Sequence, residues 1–148
     1  MAYTDVISLS EAKDYLGVDD TSRDAEITRI ITSALKYIEK RTNVLVDERN
    51  KVYDLIDGVV KVYDAPINTL DVNLSATVSR IKRPLYSIYV ETDDNQETLT
   101  LSVGSSNVDE DLKEAGYMLI EHYFGEGERM AIPKAVEDII NANRRFIL

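Results

Sequence analysis

Residues 24–42, DAEITRIITSALKYIEKRT, are the stretch that decides the fold. The apolar residues of this stretch recur at i, i+3, i+4 and i+7, the spacing that places side chains on one face of an α-helix. They are Ile27, Ile30, Ile31, Ala34, Leu35 and Ile38, and basic residues occupy the other side. The pattern predicts a long amphipathic helix over residues 22–42 that begins at Thr21 or Ser22 and ends near Asn43.

Three further helices are predicted around this one. Ser8 and Glu11 have the spacing of a capping box, which predicts a helix over residues 8–16 that stops at Gly17. Asn107 and Glu110 are suited to cap a helix over residues 108–124. Pro133 is suited to the first position of a closing helix over residues 133–147. The apolar side of that closing helix is predicted to carry Val136, Ile139, Ile140, Asn143 and Ile147.

Between residues 51 and 103 the hydrophobic period changes to two, which is typical of β-strands. Lys51–Ile56 and Val59–Asp64 flank the turn sequence Asp57-Gly58 and predict a two-residue hairpin. Further alternation continues until Leu99, Leu101 and Val103. We therefore predict one antiparallel sheet of four to five strands, inserted between the second and third helices.

The order of these elements predicts a single α+β domain over residues 1–148, mainly helical with about four helices. Inside the sheet region, Pro66 is expected to end the hairpin unit, and Asp93-Asp94-Asn95 is expected to form a turn. Two alternating runs lie between them, at Leu70, Val72 and Leu74 and at Tyr86, Ile88 and Val90.

Composition narrows the classes of function. The chain has 148 residues, a formal net charge of −10 and no cysteine. The missing thiols exclude a disulfide framework, a thiolate metal site and a cysteine nucleophile. A chain this acidic should repel polyphosphate, so tight binding to nucleic acid is not expected. No apolar run approaches the roughly 18 residues that cross a bilayer, and we expect no membrane association.

No residue pattern indicates catalysis. His122 is the only histidine, and a lone histidine on a helix is typical of a partly buried polar residue rather than a general base. Gly125 and Gly127 lie between helices and beside acids that would repel phosphate. Asp93–Glu97 resembles a calcium loop only faintly, since Thr98 occupies the position of the glycine. We therefore expect a protein that is not an enzyme, with no catalytic residue, no cofactor and no metal site.

Two separated stretches together carry a resemblance to a known family. The first runs from ISLSEAKDYL (residues 7–16) through DAEI (24–27) to ALKYIEKRT (34–42). The second runs from VDEDLKEA (108–115) through IEHYFGEGE (120–128) to IPKAV (132–136) and NRR (143–145). In order, spacing and total length they closely resemble the small head–tail connector, or adaptor, proteins of tailed bacteriophages. The β-rich middle is larger than in the family's minimal version.

This resemblance implies a structural role in the virion, at the interface of head and tail, after assembly in the host cytoplasm. Such proteins form a ring, usually dodecameric, beneath the portal protein. The ring extends the DNA channel, through which DNA passes without specific binding, and it supports the stopper or tail-completion protein. The family's closing helix generally contacts the portal. That contact would here involve Val136, Ile139, Ile140, Asn143, Arg144, Arg145, Phe146, Ile147 and Leu148.

Two features of the residues themselves agree with this interpretation. Three apolar residues, 146–148, end the chain, whereas domain termini are usually polar. They are expected to be buried, against either another chain or the chain's own core. Arg144 and Arg145 are expected in the last helical turn, where they offset the helix dipole or pair with acids of the portal.

Two other functions stay open from the sequence. One is a different virion role, as a tail-completion or stopper protein. The other is an unrelated acidic hydrolase, which would need converging carboxylates with perturbed pKa values.

Overall fold

The computed structural model describes residues 3–57, 59–64, 67–70, 78–82, 88–92, 98–104 and 108–145. Within them, five helices flank a β region, which confirms the predicted α+β class and its mainly helical character. The helices are α1 (Tyr3–Val6), α2 (Leu9–Leu16), α3 (Asp24–Thr42), α4 (Glu110–Gly125) and α5 (Lys134–Asn143). The strands are β1 (Arg49–Asp54), β2 (Val59–Val62), β3 (Ile67–Leu70), β4 (Val78–Lys82), β5 (Ile88–Thr92) and β6 (Thr98–Val103).

Helix α3 is the central element of the helical part. All six of its predicted apolar residues are buried, and the helix packs against each of the other four helices. The predicted start at Thr21 or Ser22 is wrong by two or three residues. The Ser22 amide donates to Asp20 Oδ1 at 2.8 Å in a local turn, and the helix begins at Asp24.

Helix α2 begins and ends as predicted. The Glu11 amide donates to Ser8 Oγ at 3.2 Å and the Ser8 amide donates to Glu11 Oε2 at 2.8 Å, which completes the capping box. Gly17 adopts φ 67°, the left-handed conformation that commonly ends a helix. Helix α1, a single turn, was not predicted from the sequence.

Helix α4 is capped differently from the prediction. Asp109 is the N-cap residue, and its carboxylate accepts the Asp111 amide at 3.0 Å. Asn107, the predicted cap, lies outside the described residues. Within α4, Gly116 leaves room for the buried side chain of Ile7, since a Cβ there would lie 2.8 Å from Ile7 Cδ1.

The β region departs most from the prediction. The described strands form two three-stranded antiparallel sheets, in the orders β1-β6-β3 and β2-β5-β4, and not one sheet of four to five strands. Asp57, with φ 53°, does lie in a turn. The predicted hairpin pairing is nevertheless wrong, because β1 pairs with β6 and β2 pairs with β5.

A shared core explains the two sheets. Val60 and Val62 of one sheet pack with Leu99, Leu101 and Val103 of the other. Burying both apolar faces against each other removes more apolar surface from water than one extended, two-sided sheet would. The Lys51 ammonium and the Tyr53 hydroxyl of β1 both contact Asp64, just after β2, at 3.0 and 2.5 Å.

Some predicted features fall on residues outside the described part. They are the strand end at Pro66, the alternation at Val72 and Leu74, Tyr86, the turn at Asp93-Asp94-Asn95, and the terminal residues Phe146, Ile147 and Leu148.

The β region is joined to α3 through Arg49. The Arg49 guanidinium donates to Glu39 Oε1 on α3 at 2.6 Å and to Asp47 Oδ1 at 2.6 Å. Asp47 is buried, and the Glu39 side chain is only 10% exposed. Because the two carboxylates share this one guanidinium, loss of Arg49 would leave two largely buried negative charges without their cation.

Gly104, directly after β6, completes the same junction. It adopts φ 103°, and a Cβ on it would lie 1.9 Å from the backbone oxygen of Asp47. Two strand ends thus approach each other at a distance that only glycine permits.

We expect Gly104→Ala to lower the free energy of unfolding by about 2 kcal/mol or more, because strain in φ and a backbone clash act together. Chemical denaturation checks this. Gly127→Ala is the matched control, since Gly127 has φ 94° but no atom within 4 Å of the Cβ that alanine would add. Equal losses of unfolding free energy in the two variants would show that the junction does not need the close approach of Gly104 to Asp47.

We also expect a defined acid response from Glu11. Hydrogen bonds from the Ser8 backbone, then the Lys113 ammonium, lower the pKa of Glu11 to about 2. A lowered folded-state pKa stabilises the protein above the unfolded value near 4.5, and the contribution is lost as pH falls towards 2. The stability difference between wild type and Glu11→Gln should therefore be largest above pH 4.5 and should shrink towards pH 2.

Thermal melts of both proteins between pH 2 and 7 measure this difference. Glu137→Gln, on the exposed side of α5, is the control and should show no such trend. A difference between wild type and Glu11→Gln that stays constant across the range would contradict the assignment.

Candidate interaction surface at the end of helix α3

The closing helix α5 turns its apolar side towards the chain's own core. Val136 is 0% exposed and Ile140 is 2% exposed, and both belong to the core that α3 and α4 build. Ile139 is half-buried against the same core. Two of the residues predicted to contact the portal therefore hold the helix in place, and they present no surface in this conformation.

The helix also ends earlier than predicted. It runs to Asn143, whose side-chain amide donates to the Ile139 carbonyl at 3.0 Å, and Arg144 is extended with φ −70° and ψ 128°. Arg144 and Arg145 thus lie beyond the helix, and the prediction that they occupy its last turn is wrong. The reason is a competing partner for the backbone at Arg145.

That partner is the carboxyl-terminal end of α3. The Arg145 amide donates to the Thr42 carbonyl at 2.7 Å, and the Asn43 side-chain amide donates to the Arg145 carbonyl at 2.7 Å. Asn43 adopts φ 58°, the left-handed conformation that ends α3, and its side chain there reaches the Arg145 carbonyl. A helix leaves its last carbonyl groups without partners inside the helix, and residue 145 satisfies one of them.

One turn earlier, Glu39 collects three other donors. Its carboxylate accepts the Tyr3 hydroxyl at 2.7 Å, the Val46 amide at 3.0 Å and the Arg49 guanidinium at 2.6 Å. Burial, and then the hydrogen bond to Glu39, raise the pKa of Tyr3. We call Glu39, Thr42 and Asn43 the α3 terminus. This short segment contacts the start of the chain, the β region and the residues after α5.

The α3 terminus also brings distant basic residues together. Lys40 and Arg41 are exposed on α3, two residues and one residue before Thr42, and Arg144 and Arg145 are exposed beside it. We call these four residues the basic cluster. Lys40, Arg41 and Arg145 form no ion pair with any described residue. No local pattern in the sequence indicates the cluster, because its two halves are about 100 positions apart.

A second exposed feature lies where α2 packs against α4. Tyr15 and Tyr117 stack with ring centroids 5.1 Å apart, and Tyr15 is 42% exposed. We call this pair the tyrosine stack. Burial, and then the carboxylates of Glu121 and Glu114, raise the pKa of Tyr15. Lys113 lies over Tyr117 but forms an ion pair with Glu11 at 3.0 Å.

His122 lies on α4 as the partly buried residue that the sequence predicted. Its side chain is 7% exposed, and its Nδ1 atom lies 3.6 Å from Glu126 Oε2. The Nε2 atom is buried and has no hydrogen-bond partner in the described part of the chain.

Several described carboxylates act as partners in caps and ion pairs, among them Glu11, Asp24 and Asp109. Where the pKa of such a group shifts, as in Glu11, Asp20 and Glu26, the direction is downward. A general acid at neutral pH needs the opposite direction. Across the described ranges, no three side chains of His, Cys, Asp or Glu converge as a metal site, and no helix is long and apolar enough to cross a membrane.

Two solved chains share this fold. One comes from a structure described as "Virion of native gene transfer agent (GTA) particle", with a TM-score of 0.71 and 17% identity over 97% of this chain and 92% of the other. The second comes from "Neck of empty GTA particle computed with C6 symmetry", with a TM-score of 0.69 and 16% identity. That match covers 100% of this chain and 94% of the other. At such identities the likeness establishes the fold. No curated protein matches.

The sequence itself carries the family assignment. A model of the family described as "Phage gp6-like head-tail connector protein" matches residues 6–144, which include α2 to α5 and the β region between them. The resemblance drawn from the helical stretches is thereby confirmed. This chain belongs to the phage gp6-like head-tail connector protein family.

Proposed function

We propose that this chain is a structural, non-enzymatic virion protein that forms a ring of twelve copies beneath the portal. The ring extends the DNA channel and joins the head to the tail or to a stopper protein. The observation that carries the proposal is the family match over residues 6–144. The similarity to chains in the virion and neck of a gene transfer agent, over nearly the whole of both chains, supports the same location.

The charge of the chain suits a channel component. With a net charge of −10, a ring of copies presents a negative surface to passing DNA. Repulsion between this surface and the phosphates would keep the DNA free to move, because no counterions are released by binding.

We assign the portal contact to α5 and the residues that follow it, without the two α5 residues that are buried in the core. Val136 and Ile140 hold α5 on the core, so the contact falls to residues that remain accessible. These are the half-buried Ile139 and Asn143 and the exposed Arg144 and Arg145. Phe146, Ile147 and Leu148, which follow them in the sequence, are assigned to the contact on their apolar character alone. The two guanidinium groups suit carboxylates of a partner, which they can bind in a bidentate manner.

Removal of residues 143–148 should abolish attachment to the portal while the domain still folds. The deletion removes the Asn143 side-chain bond to the Ile139 carbonyl and the two hydrogen bonds that hold Arg145 at Thr42 and Asn43, but it leaves Val136 and Ile140 in the core. Co-sedimentation with purified portal rings measures attachment, and circular dichroism measures folding. Particles assembled with the truncated protein should package DNA and then lose it.

The matched control is Asn43→Ala. It removes the side-chain hydrogen bond to the Arg145 carbonyl and retains every residue of the closing segment. This variant should still bind the portal. Normal docking of the folded truncated protein would show that the portal contact lies elsewhere. Binding only to a preformed portal–adaptor complex, and not to the portal, would favour the stopper or tail-completion role.

A further inference from the structure

The basic cluster is an exception on an acidic protein. The chain has 17 basic and 27 acidic residues. With the four residues of the cluster set aside, 13 basic residues face 27 acidic ones, so the rest of the molecule carries a formal charge of −14. A second copy of this chain therefore presents mostly negative surface to the basic cluster.

The backbone that carries Lys40, Arg41 and Arg145 is held in place. Thr42 and Asn43 bind the backbone of Arg145 at 2.7 Å on both sides, and Lys40 and Arg41 belong to a helix that is buried along its other face. A preorganised group of charges loses less conformational freedom on binding than charges on a mobile segment. Lys40, Arg41 and Arg145 have no acidic partner among the described residues, so no ion pair of these three side chains must break before they bind.

The tyrosine stack offers a complementary surface. The exposed Tyr15 ring can accept a guanidinium group on its face. Glu114 and Glu121 lie three residues before and four residues after Tyr117 on α4, which is the spacing of one helical side, so their carboxylates can accept the N–H groups of that guanidinium. Glu114 and Glu121 are exposed on α4 and form no ion pair with a described residue. The cation beside the stack, Lys113, is already neutralised by Glu11.

We propose that the α3 part of the basic cluster, Lys40 and Arg41, docks on the tyrosine stack of the next copy, with Glu114 and Glu121 receiving the cations, while Arg144 and Arg145 stay with the portal contact. The two surfaces consist of different residues, so the contact is head-to-tail, the kind that closes into a ring. This inference rests on the proposed ring and identifies the surfaces through which neighbouring copies meet.

DNA is the other polyanion available to the cluster. Four cations on a body that is otherwise at −14 would neutralise few phosphates, and the surrounding acids would oppose the approach of a duplex. A neighbouring copy offers carboxylates together with an aromatic face, which matches arginine more fully.

Charge reversal tests the contact. We expect Lys40→Glu with Arg41→Glu to weaken self-association about tenfold or more, because like charges would face each other. Glu114→Lys with Glu121→Lys should have the same effect from the other side. Arg129→Glu with Lys134→Glu is the matched control: it makes the same change in net charge as the first variant, at exposed residues outside both surfaces. Sedimentation and electron microscopy, with and without portal rings, measure assembly.

Mixing the two reversed variants is the decisive step. In a ring in which the two variants alternate, the acidic side chains introduced at positions 40 and 41 face the basic side chains introduced at positions 114 and 121. The contact in the other direction is the wild-type contact, so assembly should return. If Glu at Lys40 and Arg41 destabilises the end of α3, melting will reveal it, and the milder Lys40→Gln with Arg41→Gln variant then replaces it. Tyr15→Ala should also weaken assembly.

If the wild-type protein forms rings and both reversed variants assemble equally well, the docking contact is wrong, and the proposed function is unaffected. Failure of the mixture to assemble would overturn the docking contact as well. Salt-sensitive binding of duplex DNA that requires Lys40 and Arg41, with assembly unaffected, would assign the cluster to DNA instead. If wild-type protein forms no ring even on the portal, the proposed function itself fails.

Discussion

The end of a helix must find partners for its last backbone carbonyl groups, and at the end of α3 this requirement organises the molecule. Thr42 receives the backbone of Arg145, and Asn43 ends the helix in a left-handed conformation. One turn earlier, Glu39 accepts hydrogen bonds from Tyr3, Val46 and Arg49. Three remote parts of the chain thus meet within five residues, and the position of each part depends on this segment.

This arrangement links folding to function in a direct way. The segment that follows α5 is the part assigned to portal contact, and its backbone is held by α3 rather than by its own helix. The same hydrogen bonds hold the backbone of Arg145 near Lys40 and Arg41, so four basic residues lie around one helix end of a negative protein. In the proposed ring, each copy needs one surface for its neighbour and another for the portal, and both would lie next to the α3 terminus.

The helical part could be predicted closely because its signals are local. The spacing of Ile27 to Ile38, the capping box at Ser8 and the stop at Gly17 each depend on residues within one or two turns. The predicted starts of α3 and α4 were wrong because side chains a few residues away compete for the same backbone amides. Asp20 attracts the Ser22 amide, and Asp109 caps α4.

The β region and the interaction surface could not be predicted in the same way. Alternation identified strand residues such as Leu99 and Leu101, but strand pairing depends on which apolar faces meet, and a local turn at Asp57 does not decide that. The hydrogen bonds of Arg145 at Thr42 and Asn43 and the approach of Gly104 to Asp47 each join residues far apart in sequence. The early end of α5 follows from one of these contacts.

A closed ring of copies of this chain between the portal and the tail is the central element of the proposed function. An electron cryo-microscopy map of the neck of particles that contain this chain tests it most directly. We expect twelve copies in a ring under the portal, each with its closing segment against the portal. A map in which this chain is absent from that position, or is present there as isolated copies without mutual contact, would contradict the proposal.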